Sequence, residues 1–271
     1  MTGWQAVLLG IIQGLTEFLP ISSSGHLVLA EAVLGIRNND IAFEIFAHFG
    51  TLLAVVTVFK SDFAKIFNEL RTILFSRSDI QLSETKNPGI RLLTYLIVGT
   101  LPAAFIGYLL RGEIESAFAR PDFVSIALIG TGIILLISRI TKDPTRELTL
   151  GSSVVVGIAQ VIAFLPGISR SGTTISAGLL LGVHPIESAR FSFLLAVPLI
   201  LGVTAYKLAE LVATPPSNEE IFTLVLGCVM AYLSGLLAIK WLLGILQKNR
   251  LDLFAYYCFG VGIFGLIAYN F

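Results

Sequence analysis

The sequence predicts an all-α polytopic membrane protein built from two inverted-topology repeats. Hydrophobic residues make up 55% of the 271-residue chain and charged residues 13%, and the mean hydropathy of +0.86 is typical of proteins that cross a membrane several times. Several apolar stretches reach the roughly 20 residues that a transmembrane helix needs. Two segments, Gly10–His26 (GIIQGLTEFLPISSSGH) and Gly157–Thr173 (GIAQVIAFLPGISRSGT), are near copies of one another. The formal net charge of zero gives no reason to expect a nucleic acid as a partner.

Each copy of the repeat lies in a short helical hairpin. The stretch Gly3–Leu19 is followed by the apolar run Leu27–Leu34, and Gly151–Leu165 is followed by Ile175–Val183. Each hairpin breaks at a proline and the serines after it, at Pro20 and Pro166. A helix of about 16 residues is only about 24 Å long, which is too short to cross a bilayer. We therefore predict two re-entrant helix–loop–helix segments, because broken backbone at membrane depth is tolerated only inside protein or beside a wet cavity.

Six longer apolar stretches are the predicted transmembrane spans. They cover residues 42–60, 91–111, 122–140, 188–210, 220–246 and 251–271. The chain is then a single integral membrane domain over residues 1–271, with repeat one at about 1–120 and repeat two at about 121–271. Each repeat holds one re-entrant hairpin and three transmembrane helices. Because three is odd, the second repeat enters the membrane upside down relative to the first.

The polar stretch 61–88 is expected to contain a helix that lies on the membrane surface. Its apolar residues recur at helical spacing, which is the pattern of an interfacial amphipathic helix: Phe63, Ile66, Phe67, Leu70 and Leu74. The two cysteines, Cys228 and Cys258, stand in apolar runs and are expected to pack as free thiols rather than to form a disulfide framework or a metal site.

Basic residues predict the orientation of the spans. Eleven of them flank one side of the six-span arrangement: Lys60, Lys65, Arg71, Arg77, Lys86, Arg91, Arg139, Lys142, Arg146, Lys248 and Arg250. Four flank the other side: Arg37, Arg111, Arg120 and Lys207. The positive-inside rule places the first group in the cytoplasm. Both ends of the chain then lie outside the cytoplasm, and the first hairpin enters the membrane from the outer side.

The first repeat carries an acid, a histidine and hydroxyls. Gln13 and Glu17 are four residues apart and share one helix face. A carboxylate inside a membrane is costly, so Glu17 is either a functional residue or the structural partner of a basic residue. The serines at 22–24 begin the second helix of the hairpin, where at least one is expected to be an N-cap. His26 follows within one turn.

The second repeat carries a cation. The stretch PGISRSGTT, residues 166–174, is a glycine-flanked turn that leads into a helix N-terminus, where free backbone N–H groups can face an anion. Arg170 adds a planar guanidinium that suits phosphate oxygens. Four hydroxyls surround it: Ser169, Ser171, Thr173 and Thr174. A structural ion pair between Arg170 and Glu17 is the alternative, and the two roles can coexist.

The segments QGLTEFLPISSSGH and PGISRSGTT resemble the two signature motifs of the bacterial undecaprenyl-diphosphate phosphatases of the bacitracin-resistance type. The resemblance runs along essentially the whole chain and includes Phe43-Glu44 and the run 191–198 (FSFLLAVP). It implies hydrolysis of undecaprenyl diphosphate, a divalent metal (Mg²⁺ or Ca²⁺), and a site formed by both motifs that opens to the outer face of the bacterial inner membrane. The family's first motif is Glu or Gln, three residues, then Glu. This chain has Gln13, so Glu17 is the one acid there.

The residues and the resemblance together define an expected active site. The expected catalytic residues are Glu17, Ser23, His26 and Arg170. The expected metal ligands are Gln13 and Glu17. The hydroxyls expected to bind phosphate are Ser22, Ser24, Ser169, Ser171, Thr173 and Thr174. Glu44 and His48 form a further i, i+4 pair that either supports the site or marks a wet end of the first span. The nucleophile is Ser23, His26 or water, and Ser23 is preferred.

A different class of function, transport, is the alternative to hydrolysis. Inverted repeats with broken helices that meet at the bilayer midplane also build transporters, so the chain could be a lipid-phosphate flippase or an anion carrier. The asymmetry of the two hairpins favours bond cleavage, because a carrier needs binding groups but no nucleophile. The expected partners are a polyprenyl diphosphate lipid and membrane lipids. A homodimer is left open.

Overall fold

The computed structural model describes residues 1–36, 41–75, 87–118, 120–141, 144–213, 216–248 and 250–270, and it confirms the all-α fold class. In these ranges the regular structure is twelve α-helices, a 3-10 turn at Ser138–Ile140, and a single β-bridge between Arg146 and Val183. The helices are α1 (Gly3–Phe18), α2 (Ser23–Val33), α3 (Ile41–Val58), α4 (Lys60–Phe75), α5 (Pro88–Leu109), α6 (Arg111–Phe118), α7 (Pro121–Ile137), α8 (Leu150–Ile162), α9 (Arg170–Leu180), α10 (Pro185–Ala213), α11 (Asn218–Leu246) and α12 (Asp252–Asn270).

The two predicted helical hairpins are confirmed as helix–break–helix units. Helices α1 and α2 are separated by residues 19–22, and α8 and α9 by residues 163–169. Each first helix begins with a capping box, formed by Thr2 and Gln5 in α1 and by Thr149 and Ser152 in α8. Each break contains the predicted proline, which has no N–H to continue the helical hydrogen bonding.

Four described helices are long and apolar enough to cross a membrane: α5, the α7 segment extended to Ile140, the first part of α10, and α11. Helices α3 and α4 pass the same criterion together, with a bend of 78° between them, and make five if they are counted as one span. The chain is therefore a multi-pass membrane protein. The sixth predicted span forms α12, whose apolar stretch Asp252–Ala268 is shorter, so the count of six stays a prediction.

Helix α4 occupies the place of the predicted amphipathic helix and is tied to two spans by its carboxylates. Asp62 accepts hydrogen bonds from Nε and Nη2 of Arg190 at 3.0 and 2.5 Å, which joins α4 to α10. Glu69 accepts hydrogen bonds from the backbone N–H groups of Gly89 and Ile90 at 3.0 and 2.9 Å, which caps the start of α5. These contacts hold α4 across the ends of the spans, and its position on a membrane surface stays a prediction.

The helices of the two repeats pack against one another in matching pairs. Helix α1 packs on α11 and α8 packs on α5, and in both pairs two glycines meet. A Cβ on Gly10 would meet the carbonyl of Gly227, and a Cβ on Gly157 would meet the carbonyl of Gly99. Such close backbone approach is the usual means of packing helices inside a membrane. The inverted relation of the repeats and their bounds stay predictions.

Two further predictions concern cysteines and charges. Cys258 is buried and Cys228 is half-buried, and both are free thiols, as predicted. Four of the basic residues used to predict the orientation lie outside the described residues: Arg37, Arg77, Lys86 and Lys142.

Candidate active site

The two hairpin breaks meet inside the protein. A Cβ on Gly25 would lie 3.3 Å from the Cα of Gly167, and a Cβ on Gly172 would lie 3.3 Å from the Cβ of Pro20. The hydroxyl of Ser171 also donates a hydrogen bond to the carbonyl of Leu19 at 3.2 Å. The structure therefore confirms that the two motifs lie next to each other in the folded protein.

Helices α2 and α9 both begin at this meeting point, and each is capped by a serine. Ser22 accepts a hydrogen bond from the N–H of Gly25 at 3.2 Å, and Ser169 accepts one from the N–H of Gly172 at 3.0 Å. Ser22 has a φ of +69°, a backbone conformation that L-residues adopt at a cost. Two helix N-termini, each with a positive partial charge, therefore face the same region and favour an anion there.

Helix α7 holds the second break in place. The hydroxyl of Thr131 donates to the carbonyl of Gly167 at 2.8 Å and accepts from the N–H of Ser169 at 2.9 Å. Gly167 has a φ of +98°, and a Cβ there would meet the carbonyl oxygen of Val124. Only glycine therefore fits at this position, and Thr131 fixes the turn from which Arg170 projects.

Three of the expected site residues donate hydrogen bonds to the Glu17 carboxylate. Its Oε1 accepts a hydrogen bond from Nη2 of Arg170 at 2.8 Å, which forms an ion pair between the two hairpins. Its Oε2 accepts hydrogen bonds from Oγ of Ser23 at 2.6 Å and from Nε2 of Gln13 at 3.1 Å. Glu17 is 7% exposed, so this charge is held almost entirely by protein groups.

Helix α10 orients the guanidinium of Arg170. Nη1 of Arg170 donates to the carbonyl of Ser192 at 3.2 Å. The hydroxyl of Thr174 donates to the carbonyl of Arg170 at 2.7 Å and lies 2.6 Å from Oγ of Ser192. The arginine is thus fixed by a carboxylate on one side and by helix α10 on the other.

His26 contacts groups other than Glu17. Its Nδ1 lies 2.8 Å from the carbonyl oxygen of Ser22, and its Nε2 lies 2.9 Å from the hydroxyl of Tyr257 on α12. The imidazole and the Tyr257 ring are nearly parallel, with an angle of 8° between them. His26 therefore lies beside the serine cluster, and Ser23 has Glu17 as its hydrogen-bond acceptor.

The hydroxyls expected to bind phosphate differ in accessibility between the two hairpins. In the second hairpin they are buried and bonded to protein groups: Ser169, Ser171, Thr173 and Thr174. In the first hairpin Ser22 is buried, whereas Ser23 and Ser24 are half-buried. The accessible polar surface is thus formed by Ser23, Ser24, His26 and the half-buried Arg170. The phosphate-binding role of all six hydroxyls stays a prediction.

Glu44 and His48 lie on α3, beside α1. Nδ1 of His48 lies 2.8 Å from the carbonyl oxygen of Glu44. A supporting role for this pair stays a prediction.

The oxygen ligands at the site suit a hard cation with few protein ligands. Oε1 of Gln13 is fully buried and has no hydrogen-bond partner, and it belongs to the same side chain that bonds Glu17. An unpartnered buried oxygen beside a carboxylate is a group that Mg²⁺ or Ca²⁺ would satisfy. Among the described residues no group of three or more His, Cys, Asp or Glu side chains could hold a metal. The binding of a divalent metal by Gln13 and Glu17 stays a prediction.

Three residues around the site were not predicted from the sequence: Thr131, Ser192 and Tyr257. Ser192 stands in the FSFLLAVP run, which drew attention only through the family resemblance. Thr131 is a lone hydroxyl in a long apolar span, a weak signal for a structural contact. Tyr257 stands next to a second tyrosine, and only helix packing shows which of the two faces His26.

Comparison with known proteins identifies the family. The chain matches the family described as Bacitracin resistance protein BacA over residues 6–264. It belongs to the BacA family. A relative from Salinibacter ruber, named undecaprenyl-diphosphatase, is 42% identical over 268 residues, which cover 98% of this chain and 99% of the relative. Relatives of the same name from Methanobrevibacter smithii and Korarchaeum cryptofilum are both 41% identical, over 96% of this chain and over 95% and 96% of their own lengths.

Membership of the BacA family covers both hairpins and all the expected site residues. The resemblance noted on the two motifs is therefore confirmed along nearly the whole chain.

Proposed function

We propose that this protein hydrolyses undecaprenyl diphosphate to undecaprenyl phosphate and inorganic phosphate, which recycles the lipid carrier for peptidoglycan and cell-wall synthesis. The observation that carries the proposal is the meeting of the two hairpins at Glu17, where Arg170 and Ser23 bind one carboxylate. The names of the relatives and the family description, bacitracin resistance, support the substrate class and a role in resistance to that antibiotic.

The charges at the site suit a terminal phosphoryl group. The N-termini of α2 and α9 and the guanidinium of Arg170 supply positive charge from three directions. A phosphoryl oxygen and Glu17 compete for the same Nη2 of Arg170. When the guanidinium turns to the phosphate, it stabilises the charge that develops in the transition state and leaves Glu17 free to accept a proton.

In the first step Ser23 is the nucleophile. Its Oγ attacks the terminal phosphorus, the bond from that phosphorus to the bridging oxygen breaks, and undecaprenyl phosphate leaves. The proton of the hydroxyl passes to Oε2 of Glu17, which lies 2.6 Å away. This distance supports Glu17, rather than His26, as the base for Ser23.

In the second step water hydrolyses the phosphoserine. The oxygen of a water molecule attacks the phosphorus, the bond to Oγ breaks, and inorganic phosphate is released. Nε2 of His26 accepts the proton of the water and then releases it to solvent, and the proton on Glu17 returns to Oγ of Ser23. His26 is suited to this role because it lies beside the serine cluster without bonding to Glu17.

Gln13 and Glu17 would hold a divalent cation through Oε1 of Gln13 and a carboxylate oxygen. A bound Mg²⁺ or Ca²⁺ would neutralise phosphate charge at the site. Gln13 also donates to Glu17, which fixes the direction of the carboxylate toward Ser23.

The substrate and the apolar helices suggest a place in the bacterial inner membrane. The polyprenyl tail would stay in the bilayer between helices, with the diphosphate between the hairpins. The charge bias of the sequence supports a site open to the outer face. A homodimer is compatible with this arrangement.

The proposal is tested by phosphate release from undecaprenyl diphosphate by the purified protein in detergent. Micelles provide no second compartment, so a carrier would bind the lipid without releasing phosphate. We expect Ser23→Ala to lower turnover at least about a thousandfold, as loss of a nucleophile does. Ser24→Ala is the matched control and should keep turnover within about tenfold, since it loses one hydroxyl hydrogen bond.

A direct search for the intermediate completes the test. Acid quenching during turnover, followed by peptide mass spectrometry, should find phosphate on Ser23. Lipid binding without phosphate release by the wild-type protein would contradict the phosphatase proposal and favour a carrier. If Ser23→Ala and Ser24→Ala have similar turnover, then water rather than Ser23 attacks the phosphorus.

A further inference from the structure

Helix α12 contacts the first hairpin in its break and in the first turn of α2, through two consecutive residues. The hydroxyl of Tyr257 lies 2.9 Å from Nε2 of His26, and Sγ of Cys258 lies 3.8 Å from the carbonyl oxygen of Pro20. The ring centroids of Tyr257 and His26 are 5.6 Å apart and the rings are nearly parallel. Tyr257 therefore touches the imidazole both by a hydrogen bond and by ring contact, across 231 residues of sequence.

The chemistry of the two partners fixes the protonation of the ring. The carbonyl oxygen of Ser22 can only accept, so Nδ1, at 2.8 Å, must carry the proton. In the neutral imidazole Nε2 is then an unprotonated acceptor, and the Tyr257 hydroxyl is its donor. The Ser22 carbonyl thus selects the tautomer, and the Tyr257 hydroxyl, which can donate or accept, matches it by donating to Nε2.

The contacts with Ser22 and Tyr257 also fix the orientation of the His26 ring. Ser22 holds its carbonyl toward His26 from a backbone conformation with a φ of +69°. Tyr257 holds the opposite side of the imidazole. Rotation of the ring by half a turn would bring carbon atoms to both partners and lose both hydrogen bonds.

We propose that Tyr257 is a positioning residue for His26, which holds the imidazole in one orientation and one tautomer, with Nε2 free of a proton. The inference rests on the proposed function, in which the lone pair of Nε2 accepts the proton of the attacking water. Because the Tyr257 oxygen lies on that lone pair, the tyrosine side chain moves aside when the water molecule takes its place at Nε2. Tyr257 prepares the base and takes no part in bond making.

The test is a double-mutant cycle with a matched control. Tyr257→Phe keeps the ring and removes the hydroxyl, and we expect it to lower kcat about tenfold with KM within about twofold, as loss of one hydrogen bond to a catalytic group does. In a His26→Gln protein the same substitution should change kcat by less than about twofold, because the two residues act together. Tyr256→Phe, at the neighbouring exposed tyrosine, should leave kcat unchanged.

A second measurement does not depend on turnover. The protein has three histidines, so ¹⁵N-labelled imidazole signals can be assigned with His26→Gln. Wild-type protein should show His26 with a protonated Nδ1 and a hydrogen-bonded Nε2, and Tyr257→Phe should move only the Nε2 signal toward that of a free ring nitrogen. His48, whose Nδ1 contacts the carbonyl of Glu44, is the internal reference.

The outcomes separate the inference from the function on which it rests. An unchanged Nε2 signal in folded Tyr257→Phe would overturn the positioning role. An equal loss of kcat with and without His26 would overturn it too, since that pattern indicates a structural tyrosine. Absence of phosphate release by wild-type protein would refute the proposed function, while the imidazole signals would still decide whether Tyr257 holds His26.

Discussion

Glu17 accepts hydrogen bonds from three side chains, two in the first hairpin and one in the second. Arg170 reaches it from the second hairpin, Ser23 from the helix that follows it, and Gln13 from one turn before it. Removal of one partner from a buried ion pair leaves the other charge uncompensated, which costs about 3–5 kcal/mol. The carboxylate is therefore both the link between the hairpins and the acceptor that Ser23 requires.

Arg170 should be needed for turnover through the shape of its side chain as well as its charge. We expect Arg170→Lys to fold and to lower phosphate release at least about a hundredfold, because an ammonium cannot donate to a phosphoryl group in the planar bidentate way. Arg170→Ala should lose as much activity and also melt at a lower temperature, since Glu17 is left buried without its cation.

The control for both arginine variants is Arg120→Ala. Arg120 pairs with Asp122 on the surface, where its side chain is 65% exposed. Solvent screens such a surface pair, so this variant should keep its activity and its melting temperature. Near-wild-type turnover by folded Arg170→Lys would show that charge alone suffices.

Gln13 and Glu17 should differ in their response to a metal ion. A Mg²⁺ or Ca²⁺ ion that binds the folded protein should raise its melting temperature, and the rise should grow with the logarithm of the metal concentration above Kd. We expect Glu17→Gln to lose both activity and this metal-dependent rise. Gln13→Glu should bind metal at least as tightly as wild type, because it adds a second anionic oxygen. A metal-dependent rise that is unchanged in Glu17→Gln would exclude Glu17 as a ligand and leave it as the base alone.

At the scale of elements, the contact of α1 with α11 depends on glycines. A Cβ on Gly10 would meet the Gly227 carbonyl, so Gly10→Ala must push the helices apart and should cost about 1–3 kcal/mol. Gly244 on α11 has nothing within 4 Å of its Cβ position, so Gly244→Ala should be neutral or stabilising by up to about 1 kcal/mol. The melting temperatures of the two variants in detergent test this expectation. An equal change in both would show that helix propensity, not close packing, determines their stability.

Most elements could be predicted from the sequence because apolar length and proline position are local signals. Pro20 and Pro166 interrupt hydrogen bonding within their own turns, so both breaks are visible without knowledge of packing. Helix α6 was not predicted, because its eight residues RGEIESAF are polar and too few to show a period. The ion pair between Glu17 and Arg170 is the alternative that the sequence offered for these residues, because a carboxylate inside a membrane needs a basic partner.

Contacts between distant helices could not be predicted in the same way. Tyr257 reaches His26 only because α12 packs with one particular face toward the first hairpin. An apolar span contains no signal for that rotation, since most of its faces are apolar. The same holds for Ser192, whose carbonyl is one of many in α10 until the fold brings Arg170 to it.

At the scale of the whole molecule, the charge bias predicts which ends of the helices face the cytoplasm. In a background with Cys228→Ala and Cys258→Ala, a cysteine at Thr72 or Lys248 should react with an impermeant reagent only from the cytoplasmic side. A cysteine at Glu113 or Glu219 should react only from outside. These sites test both repeats separately.

The labelling pattern decides the inverted repeat. Thr72 and Glu113 are separated by one predicted span, and Glu219 and Lys248 by another, so each pair should be labelled from opposite sides. Thr72 and Glu219 both follow the first span after the hairpin of their repeat, and labelling of these two from opposite sides is the result that an inverted repeat requires. Accessibility of Glu113 and Thr72 from the same side would contradict the span count in the first repeat. The same comparison of Lys248 with Glu219 applies to the second.

The bond between Arg170 and Glu17 has a consequence for inhibitor design. A small phosphonate must compete with a carboxylate that is already in place, so part of its interaction with Arg170 replaces an existing contact of similar strength. A zwitterionic head group avoids this competition. Its anion binds the guanidinium of Arg170, and its ammonium forms an ion pair with Glu17 in place of that guanidinium. Compounds of that kind should gain more from this site than phosphate mimics of equal size, and a lipid-like tail would add affinity from the bilayer side.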